Sequence, residues 1–349
     1  MRFHVASLPH TSTTREFSWC AYTEKVRKFA TMMTRRGHTV YLYDSGVTDA
    51  ECEESVAVVK PPADASVTEP EWTEQYWAPM NHRAIAAIAE RIERRDFICI
   101  IGGNCQQVIA QAFPNHMSVE FGIGYEGTFS PYRVFESYAW MHTVYGAQQG
   151  ALGSNGKFYD EVIPNYFEVE QFPSGIGGNY LLYVGRLIKR KGVEIAVETA
   201  KRTGMKLILA GQGDSPPHGE HVGVVGPERR AELMGGARAL LCPTIYVEPF
   251  GGVAVEAQMC GTPVITTDWG AFTETVEQGV SGFRCRTMEQ FTAAARAAGD
   301  LDREFIRARA IDLYSTGVIA RQYEEYFTRL LGLFEDGFLA YGPDDVRES

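Results

Sequence analysis

No stretch of the 349-residue sequence approaches the ~20 consecutive apolar residues that a membrane span needs. The first nine residues, MRFHVASLP, lack the longer apolar run of a signal peptide and read instead as an opening β-strand. The seven cysteines stand singly, with no CxxC pair. That argues against a zinc site or a disulfide framework, and it suits reduced thiols in a cytoplasmic setting. An excess of positive charge is also missing. The net charge is −11, with 14 Lys and Arg against 21 Asp and Glu in residues 1–170, and 19 against 23 in residues 171–349. Neither half is expected to bind nucleic acid or an anionic membrane tightly without specificity. Internal repeats and low-complexity tracts are absent as well. What remains is a composition 45% hydrophobic and 22% charged, that of a globular protein long enough for two domains of about 100–200 residues each.

Short apolar runs alternate with helical stretches along most of the chain. Residues 2–8, 39–43, 97–101, 117–121 and 161–164 read as strands, and 19–36 and 81–95 as helices. Gly37 ends the first helix, because glycine tolerates the left-handed cap. Residues 44–80, rich in Pro, Glu and Trp, read as an irregular insertion or lid. In the second half the alternation is cleaner: strands at 180–184, 206–210, 222–225, 239–243 and 263–266, and helices at 193–202, 227–234 and 253–259. Alternation of this kind predicts parallel sheets wound with helices, with ligands at the carboxyl ends of the strands. Residues 168–178, with one Pro and three Gly, are the candidate linker. Lys25, Arg27, Lys28, Arg35 and Arg36 read either as a solvated helix face or as a patch that docks an anionic acceptor or a membrane surface.

Two features of the second half carry chemistry. In Val184-Gly185-Arg186-Leu187, followed by Lys191-Gly192, a glycine closes a strand and two cations follow in the loop. A diphosphate requires close backbone approach, which Gly185 permits, and positive charge, which Arg186 and Lys191 supply. Alone the pattern is weak, since Lys189-Arg190-Lys191 also fits a solvated run. In the second feature, seven residues separate the carboxylates of Glu248 and Glu256, and Gly251-Gly252 lie at the start of a helix. Free N–H groups there suit an anion. Glu256, one turn into the helix, can accept from a ribose, and Glu248 can reach sugar hydroxyls. Single glutamates are usually solvent-facing, so the weight rests on the combination with the following Cys260-Gly261-Thr262-Pro263-Val264-Ile265.

The segments YVGRLIKRKG, LILAGQGD, EPFGGVAVEAQMCGTPVITTD and ETVEQGVSGF, spread over residues 181–283, resemble the donor domain of the retaining glycosyltransferases of family 4. RRGHTVYLY and DEVIPNYF resemble that family's first domain more loosely. The resemblance implies an α/β protein of GT-B fold, with two Rossmann-like, doubly wound parallel-sheet domains facing each other across a cleft. It divides the chain into an acceptor-binding domain (1–170), a nucleotide-sugar domain (171–317) and a C-terminal helix crossing back to the first domain (318–349). It implies a nucleotide-diphosphate sugar, with UDP the expected carrier, as co-substrate and a hydroxyl acceptor as partner. By the same resemblance, Arg186 and Lys191 meet the diphosphate, and Glu248 holds the sugar and supports catalysis. The amides of Phe250, Gly251 and Gly252 line the sugar, and those of Gly252 and Val253 the phosphate. Glu256 meets the ribose, while Val224 and Val225 lie near the base. No cofactor is expected and no metal, because the donor motifs bring no Asp-x-Asp pair.

Two departures concern the first domain. A glycine pair after the first strand, frequent in the family, is replaced by Leu8-Pro9-His10-Thr11-Ser12-Thr13-Thr14, which reads either as a capping loop or, through His10 and Thr11, as part of an acceptor site. The family's histidine after a later strand is also missing, and Glu120 or Tyr125 stands as the substitute. His218 and His221 have an HxxH spacing without further ligands, so they read as surface or packing residues. Tyr22, Trp72, Tyr76, Trp77, Tyr125, Tyr132, Tyr138 and Trp140 give the first domain aromatics that either pack or stack on a sugar or base. The other readings weighed are a phosphorylase-like or epimerase GT-B enzyme, a non-catalytic nucleotide-sugar-binding module, and a glycosyltransferase acting on a DNA base.

Overall fold

The computed structural model describes residues 1–60, 62–65, 71–149 and 155–333. The chain forms two compact units. One comprises residues 1–136, 144–164 and 317–349; the other comprises 137–143 and 165–316.

The first unit holds β1 (Arg2–Ala6), α1 (Ala21–Arg35), β2 (Thr39–Asp44), β3 (Glu54–Ala57), α2 (Glu74–Ala89), β4 (Phe97–Ile100), α3 (Gln107–Ala112), β5 (Met117–Ile123) and β6 (Tyr132–Phe135). After α4 (Tyr138–Gln149) comes β7 (Asp160–Val162). The sheet is parallel throughout, in the order β3-β2-β1-β4-β5-β6-β7. Every residue of β4 and β5 is buried, which explains their unbroken apolar character: helices cover both faces.

The second unit runs through β8 (Tyr180–Val184), α5 (Val193–Thr203), β9 (Lys206–Ala210), β10 (Glu220–His221), α6 (Pro227–Gly236), β11 (Ala239–Cys242), α7 (Gly252–Met259), β12 (Val264–Thr267), α8 (Phe272–Thr275), β13 (Gly282–Cys285), α9 (Met288–Ala297) and α10 (Arg303–Tyr314). Its parallel sheet has the order β10-β9-β8-β11-β12-β13, so the order reverses about β8. Separate apolar clusters, one around Leu182, Leu240 and Val255 and one around Leu181, Leu241 and Phe291, reflect the alternation of side chains along β8 and β11. The last helix, α11 (Thr316–Leu333), buries Tyr323 and Phe327 in the first unit. Phe327 lies edge-on to Phe3 at 4.7 Å and to Phe97 at 4.9 Å.

Several sequence expectations change. Of the five cations, Lys25, Arg27 and Lys28 are buried and form neither a solvated face nor a docking patch, whereas Arg35 and Arg36 are exposed. Lys25 pairs with Glu136 at 2.5 Å and donates to the Gly122 carbonyl at 2.9 Å, while Arg27 and Lys28 share Glu24. Burial of these cations is tolerated because each is paired with a carboxylate, and Glu136 comes from distant chain. Residues 44–80 are not wholly irregular, since they supply β3 and the start of α2; residues 61 and 66–70 lie outside the described residues. β6 went unpredicted because Arg133 interrupts its apolar run; the guanidinium is buried against Asp160. The strand expected at 222–225 is instead the two-residue β10. The candidate linker is strapped down: Gly175 N–H donates to the Cys260 carbonyl at 3.1 Å and Gly177 N–H to that of Gly235 at 3.0 Å. Among the described residues, no helix is long and apolar enough to cross a membrane.

Candidate active site

The second unit gathers its chemistry at the carboxyl ends of β8 and β11. Gly185 leaves β8 with its amide on the Ala210 carbonyl at 2.9 Å. The chain then turns through residues 189–191 into α5. Gly192 caps that helix in the left-handed conformation (φ 73°), where a Cβ would lie 2.0 Å from the Pro243 carbonyl oxygen. Only glycine fits, and the contact seats the cation loop against the end of β11. Tyr183 supports the loop from below, its hydroxyl donating to the Arg186 carbonyl at 2.8 Å. Arg186 is exposed and Lys191 half-buried.

The loop after β11 brings Glu248 to Lys191. Nζ donates to the two carboxylate oxygens at 3.0 and 3.3 Å. Burial alone would lower the Lys191 pKa, but the charge of Glu248, aided by Tyr246, outweighs it and the pKa is raised. The Glu248 backbone is itself held, its carbonyl accepting from Ala271 N–H at 3.0 Å. Gly251 (φ 77°) then turns the chain into α7; a Cβ there would lie 2.5 Å from the Phe272 ring. Ser137 fixes the same loop by donating to the Pro249 carbonyl at 2.6 Å. Gly252 and Val253 open α7, so their amides belong to the unbonded first turn of a helix. The Phe250 side chain is a core element, packed on Phe167 and Tyr314.

Glu256 lies one turn into α7, with its carboxylate against the Arg230 guanidinium of α6 at 3.0 Å. Val224 is exposed and Val225 half-buried beyond β10, and Gly211 N–H holds that stretch through the Gly223 carbonyl at 2.8 Å. The structure therefore brings Lys191 and Glu248 into direct contact and keeps Glu256 with a separate cation. Sequence reasoning missed Arg230 and Tyr246. Tyr246 lies 4.8 Å from Lys191 Nζ and 4.7 Å from the Arg190 guanidinium, ring centroid to cation. Its place two residues before Glu248 was the available signal. The sequence does contain one Asp-x-Asp spacing, Asp300-Leu301-Asp302, outside the donor motifs. There Asp302 is the N-cap of α10, accepting from Glu304 and Phe305 N–H. His221 meets the Gly211 carbonyl at 2.8 Å, and among the described residues no group of three His, Cys, Asp or Glu side chains is placed to hold a metal ion.

The remaining candidates belong to the first unit, where most turn inward. Thr11 is fully buried and bonds Thr23, Oγ1 to Oγ1, at 2.6 Å. His10 is half-buried, with Nε2 3.7 Å from the Cys20 sulfur, and burial lowers its pKa. Glu120 is fully buried and accepts from Phe129 N–H at 2.9 Å, Ser130 N–H at 2.8 Å and the Tyr125 hydroxyl at 3.3 Å. Burial nonetheless pushes its carboxyl up to about 7. The native state thus holds a proton there that the unfolded chain has lost, and stability falls as pH rises from about 4.5 to about 7. Glu120→Gln keeps an acceptor for both amides and removes the charge. Thermal unfolding at pH 5 and pH 8 is expected to show a smaller decline in the variant, with a higher melting temperature than wild type at pH 8. Equal declines would refute the account of Glu120.

Similarity to known proteins follows this division. The structure superposes on AviGT4, a glycosyltransferase involved in avilamycin A biosynthesis, with TM-score 0.71 and 19% identity over 95% of this chain and 98% of that one. HepE from Anabaena, solved with UDP-glucose, gives TM-score 0.66 and 15% identity over 94% of this chain and all of that one. Two parallel α/β sheets with such neighbours define the GT-B fold. Residues 178–300 match the family model of glycosyl transferases group 1. Among curated proteins it is 32% identical over 119 residues to the uncharacterized glycosyltransferase MJ1607 of Methanocaldococcus jannaschii, covering 29% of this chain and 30% of that protein. The chain thus spans under a third of the length of the curated relative it matches.

Proposed function

We propose that the protein transfers a hexosyl group from a nucleoside-diphosphate sugar, UDP-linked, to a hydroxyl acceptor, with retention of anomeric configuration and without a metal ion. The observation that carries this reading is the Lys191–Glu248 pair, 3.0 Å apart beside the first turn of α7. Without a donor, the two charges neutralise each other. With a donor, Lys191 and Arg186 turn to the diphosphate, the amides of Gly252 and Val253 add to it, and Glu248 is released to the sugar hydroxyls. The bond from the anomeric carbon to the diphosphate breaks while positive charge develops on the sugar. The cations and the helix start stabilise the departing charge, and the Glu248 carboxylate stabilises the sugar. The acceptor oxygen forms the new bond on the face that the diphosphate leaves, and its proton passes to the departing phosphate oxygen. Glu256, oriented by Arg230, receives the ribose, and Val224 and Val225 receive the base. UDP as carrier is supported by the UDP-glucose held in HepE. The same residues support a metal-independent reaction, since two cations and a helix start meet the diphosphate charge. Release of UDP from UDP-glucose, followed with and without a chelator, tests the reading: release that persists in chelator is expected, and none in either condition would contradict it.

A further inference from the structure

The first unit carries an aromatic stack that the donor chemistry does not use. Tyr22 in the first turn of α1, Trp77 in the first turn of α2 and Tyr125 just after β5 converge on the carboxyl ends of the strands, where doubly wound sheets bind ligands. Trp77 is fully buried, its indole N–H on the Glu71 carbonyl at 2.8 Å. Trp72 stacks on it at 5.5 Å with 26° between the planes. Tyr22 clamps the edge of Trp72, ring centroids 5.5 Å apart at 79°, and meets Tyr125 in turn at 5.9 Å. Lys25 lies over the Tyr22 ring at 4.5 Å, and the Tyr22 hydroxyl donates to the Gly124 carbonyl at 3.2 Å. The result is a rigid assembly that nonetheless leaves Trp72 41% exposed. Tryptophan is usually well buried, and a ring backed and edged in this way is preorganised to receive another ring on its open side.

We propose that Trp72 is the platform of the acceptor site and that the acceptor presents a pyranose ring. This rests on the transfer reading above. The apolar C–H face of a pyranose suits an indole plane, and its rim of hydroxyls stays wet. A nucleic-acid base is the weaker fit, because residues 1–170 carry 21 acidic against 14 basic side chains and would repel the attached phosphates.

The test titrates the full chain with methyl glucoside, galactoside and mannoside, with glycerol as the acyclic control, read by saturation-transfer NMR and tryptophan fluorescence. At least one pyranoside is expected to bind, with saturation strongest on ring C–H groups, whereas glycerol gives none. Trp72→Ala should weaken that binding by about tenfold and Trp72→Phe by less, a loss of the size a single aromatic stacking contact supplies. UDP affinity should be unchanged in both variants. Absence of any pyranoside binding to wild type, or equal affinity in Trp72→Ala, would overturn the platform. Loss of UDP binding by wild type would instead count against the donor reading, which separates the two.

Discussion

Glu248→Ala is expected to lower glycosyl transfer by roughly a hundred- to a thousand-fold, the usual cost of removing one preorganised electrostatic partner of a transition state. UDP affinity should stay the same or rise. The physical reason is the pairing at 3.0 Å: Lys191 neutralises Glu248 when no donor is bound, so a diphosphate competes with the carboxylate for the ammonium. Removing the carboxylate frees the cation for phosphate oxygens while depriving the sugar of its stabilising charge. Turnover therefore falls without a loss of binding, an outcome that a general loss of structure does not produce. Equal turnover in the variant would remove Glu248 from the mechanism.

The double variant Arg186→Ala, Lys191→Ala should reduce UDP affinity by roughly a hundredfold or more, since hydrogen bonds to charged groups contribute about 1.5–3 kcal/mol each. Circular dichroism should remain that of the folded protein. Arg186 is exposed, and the loop conformation depends on Gly192 against Pro243 and on Tyr183 rather than on the two cations. Uridine, which lacks the phosphates, should bind wild type and variant alike. Unchanged UDP affinity would place the diphosphate elsewhere.

The loops of the second unit were readable because their information is local. Gly185, Arg186 and Lys191 sit within one strand-to-helix loop, and Glu248, Gly251, Gly252 and Glu256 within another, so spacing alone brings each set to the end of a strand. Contacts between the loops were not readable: nothing in the spacing says that Lys191 reaches Glu248, that Arg230 on α6 faces Glu256 on α7, or that Tyr246 sits between two cations. The first unit was less legible for the same reason. Its buried charges, Lys25 with Glu136 and Arg133 with Asp160, look like surface residues until their distant partners are known. Arg133 breaks the apolar run that would mark β6. Glu120 and Thr11 likewise resembled ligand-facing groups, whereas Glu120 accepts from the amides of the loop before β6 and Thr11 bonds Thr23 of α1.

The most direct test of a nucleotide-diphosphate site in the second unit is calorimetric titration of the protein with UDP in the presence of a chelator. The account predicts one saturable site per chain whose affinity is the same with and without the chelator and falls in the Arg186→Ala, Lys191→Ala variant. No binding heat with UDP, or with GDP, ADP, CDP or dTDP in its place, would contradict it.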